Sequence, residues 1–167
     1  MINQQIKKTG VRRNMYYEEI LNSLDKNVRN RIIFALLTLM EENPFTDISV
    51  SQVCQKAQVS RQTYYRFFTD NDRVLIYHLN GIITEYRLIR VLTDNKNLSE
   101  LSYFFSFFQK YPELLQLLYT NNKMYLLQQA INPLTDRFIH ERFYKIEPYR
   151  DYAEEFVSAT LCSLLSV

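Results

Sequence analysis

Residues 47–68 read DISVSQVCQKAQVSRQTYYRFF, and this stretch decides the fold of the chain. Ser49 stands three residues ahead of Gln52, which is the spacing of a capping box. In that arrangement the serine hydroxyl accepts from the third backbone amide, and the glutamine side chain reaches back to the cap amide. The apolar residues behind the cap recur at helical spacing and are Val50, Val53, Cys54 and Ala57. We therefore predict a short helix that begins after Ser49 and buries this face.

A second short helix is predicted directly after the first. Gln58 and Val59 leave room only for a tight turn, and Ser60 can cap a helix that runs to about Phe68. The side chains expected to anchor this helix inward are Val59, Tyr64 and Phe68, and those expected to face outward are Arg61, Gln62, Thr63 and Arg66. The pattern predicts two helices joined at a tight turn, the second with a polar outer face.

The rest of the chain also reads as helices. Upstream, an apolar stripe from Ile32 to Met40 stops at Asn43, because Pro44 disfavours a helical residue before it. Downstream, acidic and hydroxyl residues at 69–72 cap a long helix at about 71–91. Further helical segments are predicted at 98–110, 112–120, 122–131 and 148–167; Pro133 either begins another helix, to about 144, or kinks a continuous one.

Composition agrees with an all-α chain. Only 2 Gly and 4 Pro occur in 167 residues, which argues against a turn-rich sandwich or barrel and excludes glycine-rich phosphate loops. The 13 Tyr, 11 Phe and 47% hydrophobic content provide enough apolar surface for a real core. Net charge is +2, and the basic excess is densest in Lys7, Lys8, Arg12 and Arg13. This arm could track phosphates, or it could be a solvated tail that aids solubility.

No catalytic or metal-binding constellation is visible. Cys54 and Cys162 lie in apolar helical patterns, far apart and without clustered histidines. His78 is expected at the surface or partly buried, and His140 lies among charged residues. We therefore predict no catalytic residues, no metal, no cofactor and no enzymatic activity. Without a signal-peptide pattern or an apolar stretch of about 18 residues, we expect a cytoplasmic chain that does not enter a membrane.

Residues 31–75, RIIFALLTLMEENPFTDISVSQVCQKAQVSRQTYYRFFTDNDRVL, resemble the DNA-binding region of the TetR family of transcriptional repressors. The resemblance lies in three features that follow one another in the family's order: an apolar helix, the sequence pattern xTSVxxIAxxAGVSxxTxYxxF and a long connecting helix. Residues 102–122 loosely resemble the C-terminal domain of short TetR-like regulators of Gram-positive bacteria. The resemblance implies an all-α fold, with a three-helix helix-turn-helix domain joined by a long helix to a C-terminal helical bundle.

The resemblance also implies a division of the chain and a function. Residues 1–25 would be a basic arm and short helix, 26–73 the DNA-binding domain, and 74–167 the domain for ligand binding and dimerisation. The expected protein is a homodimeric regulator of double-stranded operator DNA, controlled by a small-molecule or protein effector. The last stretch, 159–167, is apolar and ends without a polar tail. We therefore expect either that the chain is truncated at its C-terminus or that the dimer interface is reduced.

Eight residues form the predicted DNA-binding set. Arg61, Gln62 and Thr63 match the groove-reading end of the second helix, and Tyr65 matches a tyrosine that reaches phosphate. Ser49 and Ser51 match positions that touch phosphate or an outlying base, and Arg66 faces outward beside them. The full set is Ser49, Ser51, Arg61, Gln62, Thr63, Tyr65, Arg66 and Asn71.

Three positions depart from the family pattern. Gln58 replaces the usual turn glycine and so needs a left-handed or adjusted backbone. Phe67 stands where the family often has His or Tyr, and Asn71 where it usually has a phosphate-binding Lys. These departures keep an alternative open, a TetR-like co-regulator or interaction module that has lost operator binding. The basic arm could instead supply the missing phosphate contacts.

The aromatic residues beyond position 100 are expected chiefly to form the core. In TetR-like regulators this half also binds the effector, so some of the rings could line a pocket. The candidates for such a ligand site are Tyr103, Phe107, Tyr111 and Tyr125.

Overall fold

Every part of the chain that the structure describes is built from helices and turns. A computed structural model describes residues 28–93, 100–142 and 150–165, and the fold of this part is all-α, as predicted. The predicted basic arm and short helix of residues 1–25 lie outside the described residues. In chain order the helices are α1 (Val28–Glu42), α2 (Val50–Ala57), α3 (Arg61–Phe67), α4 (Asn71–Thr93), α5 (Glu100–Phe108), α6 (Pro112–Thr120), α7 (Met124–Arg142) and α8 (Arg150–Leu165), with a short 3₁₀ turn (Phe45–Asp47) before α2.

The predicted caps set where α2, α3 and α4 begin. The Ser49 hydroxyl accepts from the Gln52 amide at 3.3 Å, while the Ser49 amide donates to the Gln52 side chain at 2.7 Å, so the capping box is confirmed. Ser60 accepts from the Thr63 amide at 3.0 Å. Asp70 accepts from the Arg73 amide at 2.8 Å. These bonds use backbone amides that the helices themselves leave without partners.

In the C-terminal helices the structure decides between the two alternatives for Pro133 and shifts one predicted boundary. Pro133 lies inside α7, so a single helix continues through a residue that has no amide hydrogen to donate. The same helix begins at Met124 rather than at 122, because Asn122 has a φ of 56° and cannot belong to a right-handed helix. A left-handed asparagine therefore separates α6 from α7.

One contiguous cluster of buried apolar side chains extends from α1 to α8. Helix α1 contributes Ile32, Leu36 and Leu37 to the cluster and packs against α2, α4 and α6. Helix α4 packs against α1 near the N-terminal helices and against α7 in the C-terminal part. The long helix α4 is thus shared between the two parts of the chain.

His78 is part of this core, which corrects the expectation of a surface or partly buried position. Its side chain is only 8% exposed, since position 78 falls in the buried stripe between Leu75 and Ile82. Burial lowers the pKa of His78 from about 6.5 to about 4. The folded protein therefore holds a neutral imidazole where the unfolded chain would take up a proton.

This buried histidine should make the folded protein sensitive to mild acid. Below about pH 6.5 the unfolded chain binds a proton at His78, whereas the folded chain binds it only below about pH 4. The folded protein therefore loses stability as the pH falls from about 6.5 to about 4. Lowering the pH from about 7.5 to about 5 should reduce the free energy of unfolding by about 2 kcal/mol through this residue. Urea denaturation of the wild type and His78→Gln at both pH values measures the difference. An equal loss in the two proteins would contradict the prediction.

Candidate nucleic-acid interface

The turn between α2 and α3 is made without glycine. Gln58 adopts the left-handed conformation, with φ 54° and ψ 47°, as predicted for this position. The Val59 amide donates to the Cys54 carbonyl at 3.0 Å and closes the end of α2. From α1, the Arg31 guanidinium donates to the Gln58 carbonyl at 2.9 Å. A hydrogen bond from another helix therefore fixes the residue that bears the backbone strain.

Helix α3 has the polar outer face that the sequence predicts. Arg61, Gln62 and Arg66 are exposed, and the Tyr65 ring is 55% exposed. Thr63 is half-buried, and its hydroxyl lies 2.9 Å from that of Ser60. The exposed side chains offer hydrogen-bond donors and acceptors suited to base edges and phosphates.

The structure brings the start of α2 and the start of α3 onto one surface. Arg61 donates from its guanidinium to the hydroxyl of Ser51, ten residues earlier in the chain. Ser49 and Ser51 are both exposed beside this contact. Five of the eight predicted DNA-binding residues thus lie at the adjoining N-terminal ends of the two helices: Ser49, Ser51, Arg61, Gln62 and Thr63.

Asn71 has a different place from the one expected. Its side chain is 8% exposed, accepts from the Tyr64 hydroxyl at 2.8 Å and donates to the Ile48 carbonyl at 2.8 Å. Burial is the main reason that the pKa of the Tyr64 hydroxyl is raised. The hydroxyl therefore stays protonated and donates this hydrogen bond. An asparagine can donate and accept at once, which a lysine cannot. The expectation of an exposed phosphate contact at position 71 is therefore corrected, because this side chain joins α3 to Ile48, which precedes the Ser49 cap of α2.

The loop between α6 and α7, residues 121–123 and here called the Lys123 loop, contacts the start of α4 and Phe45. Asn121 accepts from the Phe45 amide at 2.7 Å, and the Lys123 ammonium lies 2.7 Å from an Asp72 oxygen and 3.9 Å from the centroid of the Phe45 ring. Tyr125 donates to Asp72 at 3.3 Å. Burial opposes the charge on Lys123, but the hydrogen bond and the charge of Asp72 outweigh it and raise the pKa of the ammonium. Sequence reasoning missed this loop, since its contacts join residues more than fifty positions apart.

Three of the four residues predicted for a ligand site lie in one aromatic cluster, and the fourth does not. Tyr103 and Phe107 are buried against Tyr86, with ring centroids 5.1 and 5.2 Å from it, and the tilted Tyr111 ring lies 5.4 Å from that of Phe107. The fourth residue, Tyr125, is 45% exposed and bonded to Asp72.

Two hydrogen bonds show how far Tyr125 lies from the aromatic cluster. Tyr111 donates to Glu85 at 3.0 Å, whereas Tyr125 donates to Asp72. Asp72 and Glu85 are separated by about 20 Å along α4, at the usual helical rise per residue. Tyr125 is therefore removed from the set, and the cluster of Tyr86, Tyr103, Phe107 and Tyr111 remains. Within the described ranges, the buried Tyr103 hydroxyl has no hydrogen-bond partner.

Two other kinds of site were sought in the part of the chain that the structure describes. It contains no group of three or more His, Cys, Asp or Glu side chains placed to hold a metal ion. None of its helices is both long enough and apolar enough to cross a membrane.

Comparisons with known proteins give no match from which the role of the site could be taken. No protein-family model matches the chain, and neither the curated proteins nor the solved structures include a significant match. Function is therefore inferred from the residues of α2, α3 and their supports.

Tyr64→Phe should destabilise the protein by about 1–3 kcal/mol, because it leaves the buried Asn71 oxygen without its donor. The matched control is the same change one residue on: Tyr65→Phe alters an exposed ring and should stay within about 0.5 kcal/mol. Asn71→Lys should cost at least as much as Tyr64→Phe, since an ammonium would replace a buried amide. Urea denaturation at neutral pH measures all three. Equal stability of the two Tyr→Phe variants would contradict the assigned role of Tyr64.

The Lys123–Asp72 contact should also be energetically coupled. A double-mutant cycle with Lys123→Met and Asp72→Asn is expected to give a coupling energy of about 1 kcal/mol, because the pair is part-buried and hydrogen-bonded. Combining Lys56→Met, at an exposed position on α2, with Asp72→Asn provides the control and should give additive effects. Additivity of Lys123→Met with Asp72→Asn would show that the loop is not held by this ion pair.

Proposed function

We propose that the chain is a transcriptional regulator that binds double-stranded DNA, with α3 in the major groove and α2 across the phosphate backbone. The observation that carries the proposal is the joint arrangement of the two helix starts, where exposed Arg61 contacts Ser51 and is followed by exposed Gln62. Helix-turn-helix proteins present the N-terminal residues of their second helix to base edges in this way. The buried Tyr64–Asn71 hydrogen bond supports the proposal further, because it fixes the position of α3 relative to the start of α4.

Each exposed residue has a matching DNA group. Arg61 suits the O6 and N7 atoms of guanine, and Gln62 suits the N6 and N7 atoms of adenine. The Thr63 methyl group suits the thymine methyl group, since its hydroxyl is engaged by Ser60. Tyr65 and Ser49 are placed to donate to phosphate oxygens, which fixes register without reading sequence.

We propose a homodimer as the binding form. Helix α8 exposes Phe156 and Leu164, at 72% and 56%, with Thr160 between them at successive four-residue steps. Residues at this spacing share one face of a helix, and a second copy of the chain would cover it. Two copies of α3 would then lie about 34 Å apart on a near-palindromic operator.

We propose that a small-molecule or protein effector acts through the C-terminal helices. Helix α4 runs from the base of α3 to the aromatic cluster around Tyr86, and the Lys123 loop holds its first turn. A shift of α4 would therefore move α3. An effector that binds one position of α4 better than another would change the separation of the two reading helices.

A second candidate function is a co-regulator that acts through protein contacts and has lost operator binding. Two observations favour it: the Asn71 side chain is turned inward, and the half-buried Phe67 ring has no polar group with which to contact DNA. Asn71→Lys is not a clean test of this alternative, because the substitution would disturb a buried hydrogen-bond pair. Direct DNA-binding measurements separate the two functions.

Selection from a random-sequence DNA library, followed by titration at two salt concentrations, tests the proposed function. Arg61→Ala should relax the preference at one base position by about 1–3 kcal/mol. Tyr65→Phe should weaken binding to selected and unrelated duplexes alike, as the loss of a phosphate contact does. Arg87→Ala, at an exposed position far along α4, is the control and should change neither. A wild type with no preferred sequence, or with affinity independent of salt, would refute operator binding and leave the co-regulator.

A further inference from the structure

The hydroxyl of Ser51 accepts a hydrogen bond from the side chain that is proposed to read guanine. Ser51 is the second residue of α2, and Arg61 is the first residue of α3. A terminal guanidinium nitrogen of Arg61 donates to the Ser51 hydroxyl oxygen, and both residues are exposed. The direction of a side chain on α3 is therefore set in part by a residue on α2.

Both ends of this contact start from fixed backbone. The capping box of Ser49 and Gln52 sets the first turn of α2, and the Ser60 hydroxyl accepts from the Thr63 amide to set the first turn of α3. The position of the Ser51 oxygen then depends on a single side-chain torsion with three staggered positions. An arginine side chain has several such torsions, so the hydroxyl limits a group that would otherwise take many orientations.

The contact leaves the guanidinium able to bind a base. A guanidinium group has five N–H donors, and the hydrogen bond to Ser51 uses one of them. Recognition of a guanine takes two more, one for O6 and one for N7. The serine hydroxyl carries no charge, whereas a carboxylate in its place would hold Arg61 but repel the DNA phosphates. Ser51 therefore orients the cation and leaves its positive charge available to DNA.

Orientation before binding affects how well one base is distinguished from another. A guanidinium that turns freely can reach acceptors on several bases, and part of the binding free energy is lost in ordering it. A guanidinium that is already held offers its donors to a single position, which raises the difference in affinity between the right base and a wrong one. A hydroxyl that acts in this way contributes to sequence preference without touching the DNA.

We infer that Ser51 is a positioning residue, which holds the Arg61 guanidinium in the orientation that reads one base pair. The inference rests on the proposed function and adds to it a role for Ser51 that passes through Arg61. The family resemblance instead implies that Ser51 touches phosphate or an outlying base. A phosphate contact strengthens binding to every duplex, whereas positioning affects one base pair alone, so the two roles give different results.

The first measurement uses the free protein and does not depend on DNA. NMR relaxation of the Arg61 Nε–H group gives the order parameter of this side chain. We expect a higher order parameter in the wild type and in Ser51→Thr, which keeps the hydroxyl, than in Ser51→Ala. The control is Gln55→Ala, at an exposed position one turn further along α2, which should match the wild type. Equal order parameters in the wild type and Ser51→Ala would show that the hydroxyl does not hold the guanidinium, and the inference would be wrong.

The second measurement compares two duplexes. One is the duplex that the wild type selects from a random library, and the other is changed at the base pair whose preference Arg61→Ala removes. Ser51→Ala should lower the ratio of the two affinities roughly three- to tenfold, as the loss of one hydrogen bond does, and leave the salt dependence of binding unchanged. In the Arg61→Ala background the same substitution should change the ratio by less than about twofold. Ser51→Thr and Gln55→Ala should keep the wild-type ratio.

A direct phosphate contact of Ser51 would give a different pattern. Ser51→Ala would then weaken binding to both duplexes equally and lower the salt slope, and the inference would be wrong although operator binding stands. An equal change of the ratio with and without Arg61, or an Arg61→Ala variant that keeps the full preference, would exclude positioning through that side chain as well. Circular dichroism and urea denaturation establish that each variant is folded. If the wild type prefers no sequence, the proposed function itself fails, and the role of Ser51 in base reading falls with it, whatever the order parameter of Arg61.

Discussion

The buried hydrogen-bond pair centred on Asn71 is the constraint on which the candidate interface depends. The Asn71 side chain joins the Tyr64 hydroxyl of α3 to the Ile48 carbonyl ahead of α2, both at 2.8 Å. Because Asn71 is also the first residue of α4, one amide group relates three helices to one another. Such a group is costly to leave unsatisfied in the core, so the three helices are held in a single arrangement.

The Lys123 loop extends this constraint to the C-terminal helices. Asp72 follows Asn71 directly and is held by Lys123 and Tyr125, while Asn121 binds the Phe45 backbone. The start of α4 is thus fixed from inside by Asn71 and from outside by the loop. The proposed regulation would use this junction, because α4 is the element that connects the C-terminal helices to α3.

Local signals in the sequence predicted the helices well, and long-range partners were the part it could not supply. The caps at Ser49, Ser60 and Asp70 bind amides only three residues away, so short windows of sequence contain both partners. The left-handed or adjusted backbone at Gln58 was expected on other grounds, because the family that the sequence resembles usually has a glycine at this turn.

The side chains of Asn71 and Lys123 escaped prediction because their partners are distant. Asn71 pairs across 23 residues with Ile48, and Lys123 across 51 with Asp72. For the candidate site, the outer face of α3 was predicted, whereas the inward turn of Asn71, the separation of Tyr125 and the contact of Arg61 with Ser51 emerged only from the fold.

The hydrogen bond from Arg31 to the Gln58 carbonyl makes the turn depend on a residue of α1. A left-handed residue other than glycine costs about 1 kcal/mol, and a charged donor can offset a cost of that size. Part of what holds the turn in its left-handed conformation therefore lies in α1, twenty-seven residues away. The turn thereby carries an exposed amide side chain next to the start of α3, where a glycine would offer no side chain at all.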